Sequence, residues 1–127
     1  MSRLKTISFG LALTIVPVGA AEALDDLTRE FAYCAGRYSA EMEHAWLLSD
    51  PAADVSEGKR AAFVELLDAV APVGSGRSVL NYRISAKVAH AALLSRASFA
   101  EDSEIQENAR IQARTHLGAC DRFLLQG

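Results

Sequence analysis

The sequence predicts an all-α fold, a small four-helix up-down-up-down bundle, and three observations support this prediction. Apolar residues recur at steps of three and four, the period of an amphipathic helix, and no segment shows the alternation of a strand. Pro51, Pro72 and a third break between Ser98 and Asp102 divide the chain into four such segments. The 127 residues, of which 50% are hydrophobic, are enough for one small domain.

The first 23 residues have the three parts of a secretory signal peptide. Arg3 and Lys5 form the basic region, Thr6 to Gly19 is the apolar stretch, and Ala21-Glu22-Ala23 is an A-x-A cleavage site. The apolar stretch is too short to cross a hydrocarbon core of about 30 Å. We therefore expect a periplasmic or secreted protein in which residues 24–127 form a single helical domain, with no membrane span after cleavage.

The first helix is predicted from about Asp25 to Ser49, where Asp50-Pro51 ends it. Its core stripe consists of Leu24, Leu27, Phe31, Cys34, Tyr38, Met42 and Ala45. The second helix is predicted from about Ser56 to Ala71, with Asp54 or Ser56 as its N-cap. Its buried face consists of Phe63, Val64, Leu67, Val70 and Ala71.

The third helix is predicted from about Ser78 to Ser98 and is apolar on two faces, both of which we expect to be buried. One face consists of Val79, Tyr82, Ala86, Leu93 and Ala97, and the other of Leu80, Ile84, Val88 and Ala91. The fourth helix begins at Asp102 or Ser103, where Ser103 and Gln106 match a capping box, and continues to about Leu124. Its stripe consists of Ile105, Ala109, Ala113, His116, Cys120 and Phe123.

Two cysteines, Cys34 and Cys120, lie on the core stripes of the first and last helices. An even cysteine count in an exported chain favours a disulfide, and up-down-up-down topology makes these two helices antiparallel neighbours. A bond between helices 1 and 4 closes a loop of about 87 residues, which the chain-entropy relation converts to about 4.5 kcal/mol of stabilisation. A redox pair is not expected, because neither cysteine belongs to a C-x-x-C motif.

His116 is the most informative polar residue, because it lies one turn before Cys120 within an apolar stripe. Antiparallel packing of the first and last helices sets Tyr38 opposite His116 and places Glu41 on the flank. A buried ring needs a hydrogen-bond partner, so a Tyr38–His116 or Glu41–His116 bond is predicted. The cluster is either a buried polar contact of the core or a ligand site.

No metal site and no cofactor is predicted. Glu41 and His44 have the Glu-x-x-His spacing of di-iron bundles, but the second such motif is missing. A site shared by the three histidines is disfavoured, because His44 lies about 9 Å along the bundle axis from the level of His116. A covalent haem requires C-x-x-C-H, which is absent. The chain resembles the periplasmic four-helix b-type cytochromes in size, compartment and a late histidine, whereas Met42 does not match their early methionine ligand.

Two function classes are disfavoured by the composition and motifs. A net charge of -3 argues against nucleic acid as a partner, since a phosphate-binding protein needs a clustered positive surface. No serine lies in a G-x-S-x-G motif, and no catalytic constellation is evident, so the chain is not predicted to be an enzyme.

A second stripe on the first helix lies opposite its core stripe and is a candidate interface, since Tyr and Arg are frequent interface residues. Its members are Tyr33, Arg37, Ala40, His44 and Leu47. The sequence therefore predicts an exported binding module that contacts another envelope protein, or a second copy of itself, through helical faces. The alternative is a metal- or haem-handling bundle that uses His116.

Overall fold

The computed structural model describes residues 24–125, together with Gly10 and Ala12. Four helices make up most of the described chain, and they are α1 (Asp26–Leu47), α2 (Ala52–Val70), α3 (Gly76–Phe99) and α4 (Ser103–Leu124). The predicted all-α bundle is confirmed, and residues 24–125 contain no strand. Apart from Gly10 and Ala12, the predicted signal peptide lies outside the described residues.

Aspartate side chains accept hydrogen bonds from backbone amides at the start of three helices. At two of these helices the capping differs from the predicted pattern. The Asp25 side chain accepts a hydrogen bond of 2.7 Å from the Thr28 amide at the start of α1. Of the two predicted starts of α4, Asp102 is the N-cap, and its side chain accepts from the Glu104 and Ile105 amides, so Ser103 is not the cap of a capping box. Helix α2 begins at Ala52, four residues before the predicted start, because the fixed φ of Pro51 suits a helix N-terminus and Asp50 accepts from the Ala52 amide.

Helix α1 is the central element, because it contacts each of the other three helices. Buried residues occupy most of its circumference, as expected for a helix enclosed by neighbours. Helix α2 packs antiparallel against it, bringing Phe63 against Phe31 and Tyr38. Helix α4 packs on α3 and reaches α1 near its own C-terminal end, where Phe123 meets Phe31 edge to face.

The predicted disulfide between Cys34 and Cys120 is confirmed, and it ties α1 to α4 within the larger of two core clusters. The two Cα atoms are 5.6 Å apart, and both side chains are buried. Leu27 was expected in this core but is exposed. Leu24 and Thr28 at the same end of α1 are buried, so Leu27 lies on the solvent side of this turn.

Helices α1 and α3 cross in a parallel orientation and approach each other closely at Gly36. A Cβ atom at Gly36 would collide with the backbone oxygen of Arg83 and would lie 3.0 Å from the Cβ of Ala86. Only a residue without a side chain allows the two backbones to approach this closely. Gly36 therefore sets the separation of α1 and α3.

We expect Gly36→Ala to lower the free energy of unfolding by about 1–3 kcal/mol, because the new methyl group must displace the backbone of α3. Gly118→Ala on α4 is the matched control, since its added Cβ has nothing within 4 Å beyond its chain neighbours and the backbone of its own helix. It should stabilise the protein by about 0.5–1 kcal/mol through helix propensity. Urea unfolding of both variants measures the difference, and equal effects would contradict the close crossing.

Removing the disulfide should cost about 4.5 kcal/mol, because it closes a loop that contains nearly all of the described fold. The double variant Cys34→Ser/Cys120→Ser and the reduced wild type should unfold at similar, lower urea concentrations. Urea titrations of the oxidised, reduced and double-variant proteins give this comparison. An oxidised protein no more stable than the reduced one would be inconsistent with a stabilising bond.

Candidate functional site

The predicted cluster of Tyr38, Glu41 and His116 is divided between two places. The Tyr38 hydroxyl donates to the carboxylate of Asp121, and not to His116. Lys59 lies 3.0 Å from both oxygens of that carboxylate, with its Nζ 5.3 Å from the centre of the Tyr38 ring. Burial, followed by the bond to Asp121, raises the pKa of Tyr38 well above its ordinary value. Tyr38 is therefore a neutral hydroxyl that joins α1, α2 and α4.

Glu41 bonds to His90, a residue for which the sequence predicts no role. The Nε2 atom of His90 lies 2.8 Å from Oε1 of Glu41, and the imidazole is 1% exposed. A carboxylate oxygen accepts, so this contact is a hydrogen bond in the tautomer that carries the ring proton on Nε2. The predicted Glu41–His116 bond was wrong because the parallel crossing of α3 over α1 brings His90, and not His116, level with Glu41.

His116 stands beside His90 rather than beside Tyr38. The two ring centres are 6.5 Å apart and the rings are inclined by 66°. Partial burial, the nearby Arg37 cation and His90 together lower the pKa of His116 from its ordinary value of 6.5. The neutral imidazole is thus the favoured form. The Nδ1 atom of His90 has no hydrogen-bond partner within the described part of the chain.

The Glu-x-x-His pair of α1 does not act as one ligand set. Glu41 bonds to His90. The Nε2 atom of His44 lies 2.8 Å from Oγ of Ser98, at the C-terminal end of α3. Across residues 24–125, no three side chains of the His, Cys, Asp and Glu types converge as metal ligands would.

The stripe of α1 proposed as an interface lies mainly against α3. Tyr33 packs edge to face on Tyr82 with ring centres 5.4 Å apart, and Ala40 is buried. Arg37 lies over the Tyr33 ring, and His44 contacts Phe99. The close crossing at Gly36 covers this stripe with α3. Leu47, at the end of α1, is the exposed member.

The second apolar face of α3, which we expected to be buried, is exposed. Leu80, Ile84 and Val88 are 51%, 49% and 64% exposed, and Ala91 beyond them is also exposed. The inner face of α3 meets α1 and α4, and no described element packs over this outer face. Residues four apart lie on one side of a helix, so the three large side chains form a continuous apolar ridge about 12 Å long.

A groove runs beside this ridge, because α2 and α3 both pack on α1 but hardly contact each other. Its volume is about 230 Å³. It is lined by Gly36, Ser39, Met42, Glu43, Arg60, Leu80, Arg83, Ile84 and Lys87. Three of these residues are basic and one is acidic, so the groove is positive.

The basic residues of the groove differ in how they are held. Lys87 pairs with Glu43 at 2.6 Å, and Nε of Arg60 donates to Oγ of Ser39 at 3.0 Å. Arg83 forms no ion pair with any residue between 24 and 125. Burial, and then the neighbouring Arg60 cation, lower the pKa of Arg83, and the Asp68 carboxylate opposes them in part. Two guanidinium groups therefore repel each other across the groove.

This concentration of positive charge could have been found in the sequence. Helix α3 carries Arg77, Arg83, Lys87 and Arg96 and no acidic residue, although the whole chain has a net charge of -3. The pairing of His90 with Glu41 could not be found in the sequence, because it depends on the distance between α1 and α3 and not on a local pattern.

Comparison with known proteins finds no match among protein-family models, curated proteins or solved structures. For residues 24–125, no helix is both long enough and apolar enough to cross a membrane.

We expect folding stability to depend on the protonation of His116. Its pKa is lowered in the folded state, so the unfolded chain binds a proton more readily once the pH falls below about 6.5. The wild type should lose free energy of unfolding as the pH falls from about 7 to about 5, whereas His116→Gln lacks this contribution. The stability difference between them should therefore narrow over this range.

Urea unfolding of both proteins at several pH values measures this difference, and NMR titration of the His116 ring gives its pKa directly. A difference that widens at low pH, or a ring pKa above 6.5, would contradict the effect of burial and Arg37.

Proposed function

We propose that the protein is an exported binding module that contacts an acidic surface of another envelope protein through the outer face of α3. The observation that carries this proposal is the exposed ridge of Leu80, Ile84 and Val88. A row of large apolar side chains left open on one helix face is typical of a protein–protein contact.

The charge on α3 supports an acidic partner. All four of its charged residues are basic, and Lys87 and Arg83 lie on the side of the helix that borders the ridge. Complementary charge around an apolar centre increases the association rate and selects the partner. A binding surface of this kind should weaken as the salt concentration rises, since screening acts on its exposed rim.

Export is supported by two independent features. The first 23 residues have the organisation of a secretory signal, and the chain contains one disulfide and no free cysteine among its described residues. Disulfides persist in oxidising compartments such as the periplasm. We therefore propose that the partner is met outside the cytoplasm.

The test compares Val88→Asp with Val55→Asp, because the two valines are 64% and 63% exposed and lie on different helices. The wild type and both variants are purified with their bound proteins from the envelope of the source cells. The partner obtained with the wild type is then titrated against each purified variant. We expect Val88→Asp to bind at least about tenfold more weakly, because it places a carboxylate in the apolar contact, while Val55→Asp binds normally.

Equal affinity of the two variants would overturn the assignment to α3. Stronger binding at higher salt would refute the acidic character of the partner. A stable dimer of the purified chain, observed by native mass spectrometry and disrupted by Val88→Asp, would show that the ridge serves a second copy instead.

A further inference from the structure

The positive groove beside the ridge is a second candidate binding surface that adjoins the ridge. Its floor is α1 at Gly36 and Ser39, and its walls are Arg60 of α2 and Arg83 of α3. Leu80 and Ile84 border both surfaces, whereas Val88 does not line the groove. The floor is concave because α1 and α3 are drawn together at Gly36 while α2 stays apart from α3.

The groove is lined by both charged and apolar side chains. Arg60 and Arg83 supply guanidinium groups, which match a planar carboxylate through paired N–H donors. Met42, Leu80 and Ile84 supply apolar surface along the same groove. An anion placed between the two arginines would relieve their mutual repulsion, and an attached alkyl chain would cover apolar area that water now contacts.

The size and charge of the groove limit the ligand. Its volume of about 230 Å³ exceeds the roughly 150 Å³ that can hold benzene and falls short of the roughly 300–1,000 Å³ typical of larger ligands. The carboxylate of Glu43 lies at the groove beside Lys87 and disfavours a doubly charged group. These limits favour a short alkyl chain that ends in a single negative charge.

We propose that this groove binds a short-chain alkyl carboxylate, with its carboxylate between Arg60 and Arg83 and its chain along Leu80 and Ile84. This proposal does not rest on the protein-binding proposal, although the groove shares Leu80 and Ile84 with the ridge. Neither arginine forms an ion pair among residues 24–125, and Arg60 is held by Ser39, so Arg83 provides the principal charge.

The experiment titrates the purified mature protein with octanoate and follows the backbone amides by NMR. Acetate, which lacks the chain, and octyltrimethylammonium, which reverses the charge, are the comparison probes. We expect octanoate to shift the amides of Ser39, Arg83 and Ile84 and to bind at least about tenfold more tightly than either probe.

Arg83→Gln should weaken octanoate binding about tenfold or more, and Arg60→Gln should weaken it in the same direction. Arg96→Gln is the matched control, because it removes a positive charge from α3 outside the groove. Thermal unfolding followed by circular dichroism verifies that each variant is folded. Val88→Asp should retain octanoate binding, so failure of the protein-binding proposal and failure of this one give different results.

Three results would overturn the proposal. Octyltrimethylammonium could bind as tightly as octanoate, which would leave no role for the arginines. Arg83→Gln and Arg96→Gln could have the same affinity for octanoate as the wild type. Octanoate could shift amides only outside the groove, which would assign its binding to another surface.

Discussion

The contact between α1 and α3 at Gly36 is the constraint on which the rest of the structure depends. Backbone meets backbone there, and no side chain separates the two helices. This parallel pair forms the centre of the bundle, so α2 and α4 must pack on its flanks. The same contact covers one stripe of α1, brings His90 to Glu41 and leaves a groove between α2 and α3. The absence of a Cβ atom at Gly36 therefore determines both the helix packing and the candidate binding surfaces.

Helix positions and the disulfide could be predicted from the sequence, because both depend on local patterns. Apolar spacing and prolines locate the four helices, and two cysteines permit a single intramolecular pairing. The partners of the polar residues could not be predicted, because they depend on helix separation and rotation. Glu41 contacts His90 rather than His116 for this reason. The exposed ridge of α3 was missed likewise, since a two-faced apolar helix can be either enclosed or open.

Charge is distributed unevenly over this small bundle, and the distribution follows the elements. All charged residues of α3 are basic, whereas the chain as a whole has a net charge of -3. Within the fold, Lys59 and Lys87 are used to join helices by pairing with Asp121 and Glu43. Arg83 is not used in this way within residues 24–125, and it lies where α2 and α3 diverge. Basic residues thus join helices at two positions, and at the groove they form the positive surface for which binding is proposed.

The Cys34–Cys120 bond also has a mechanical consequence. It joins a residue in the first helix to one near the end of the last, so α2 and α3 lie wholly inside the covalent loop. A pulling force applied at the two chain ends passes directly across this bond. Only the segments before Cys34 and after Cys120 can then lengthen, and the groove and ridge of α3 carry no tension. The groove and the ridge are thereby shielded from any load that passes through the Cys34–Cys120 bond.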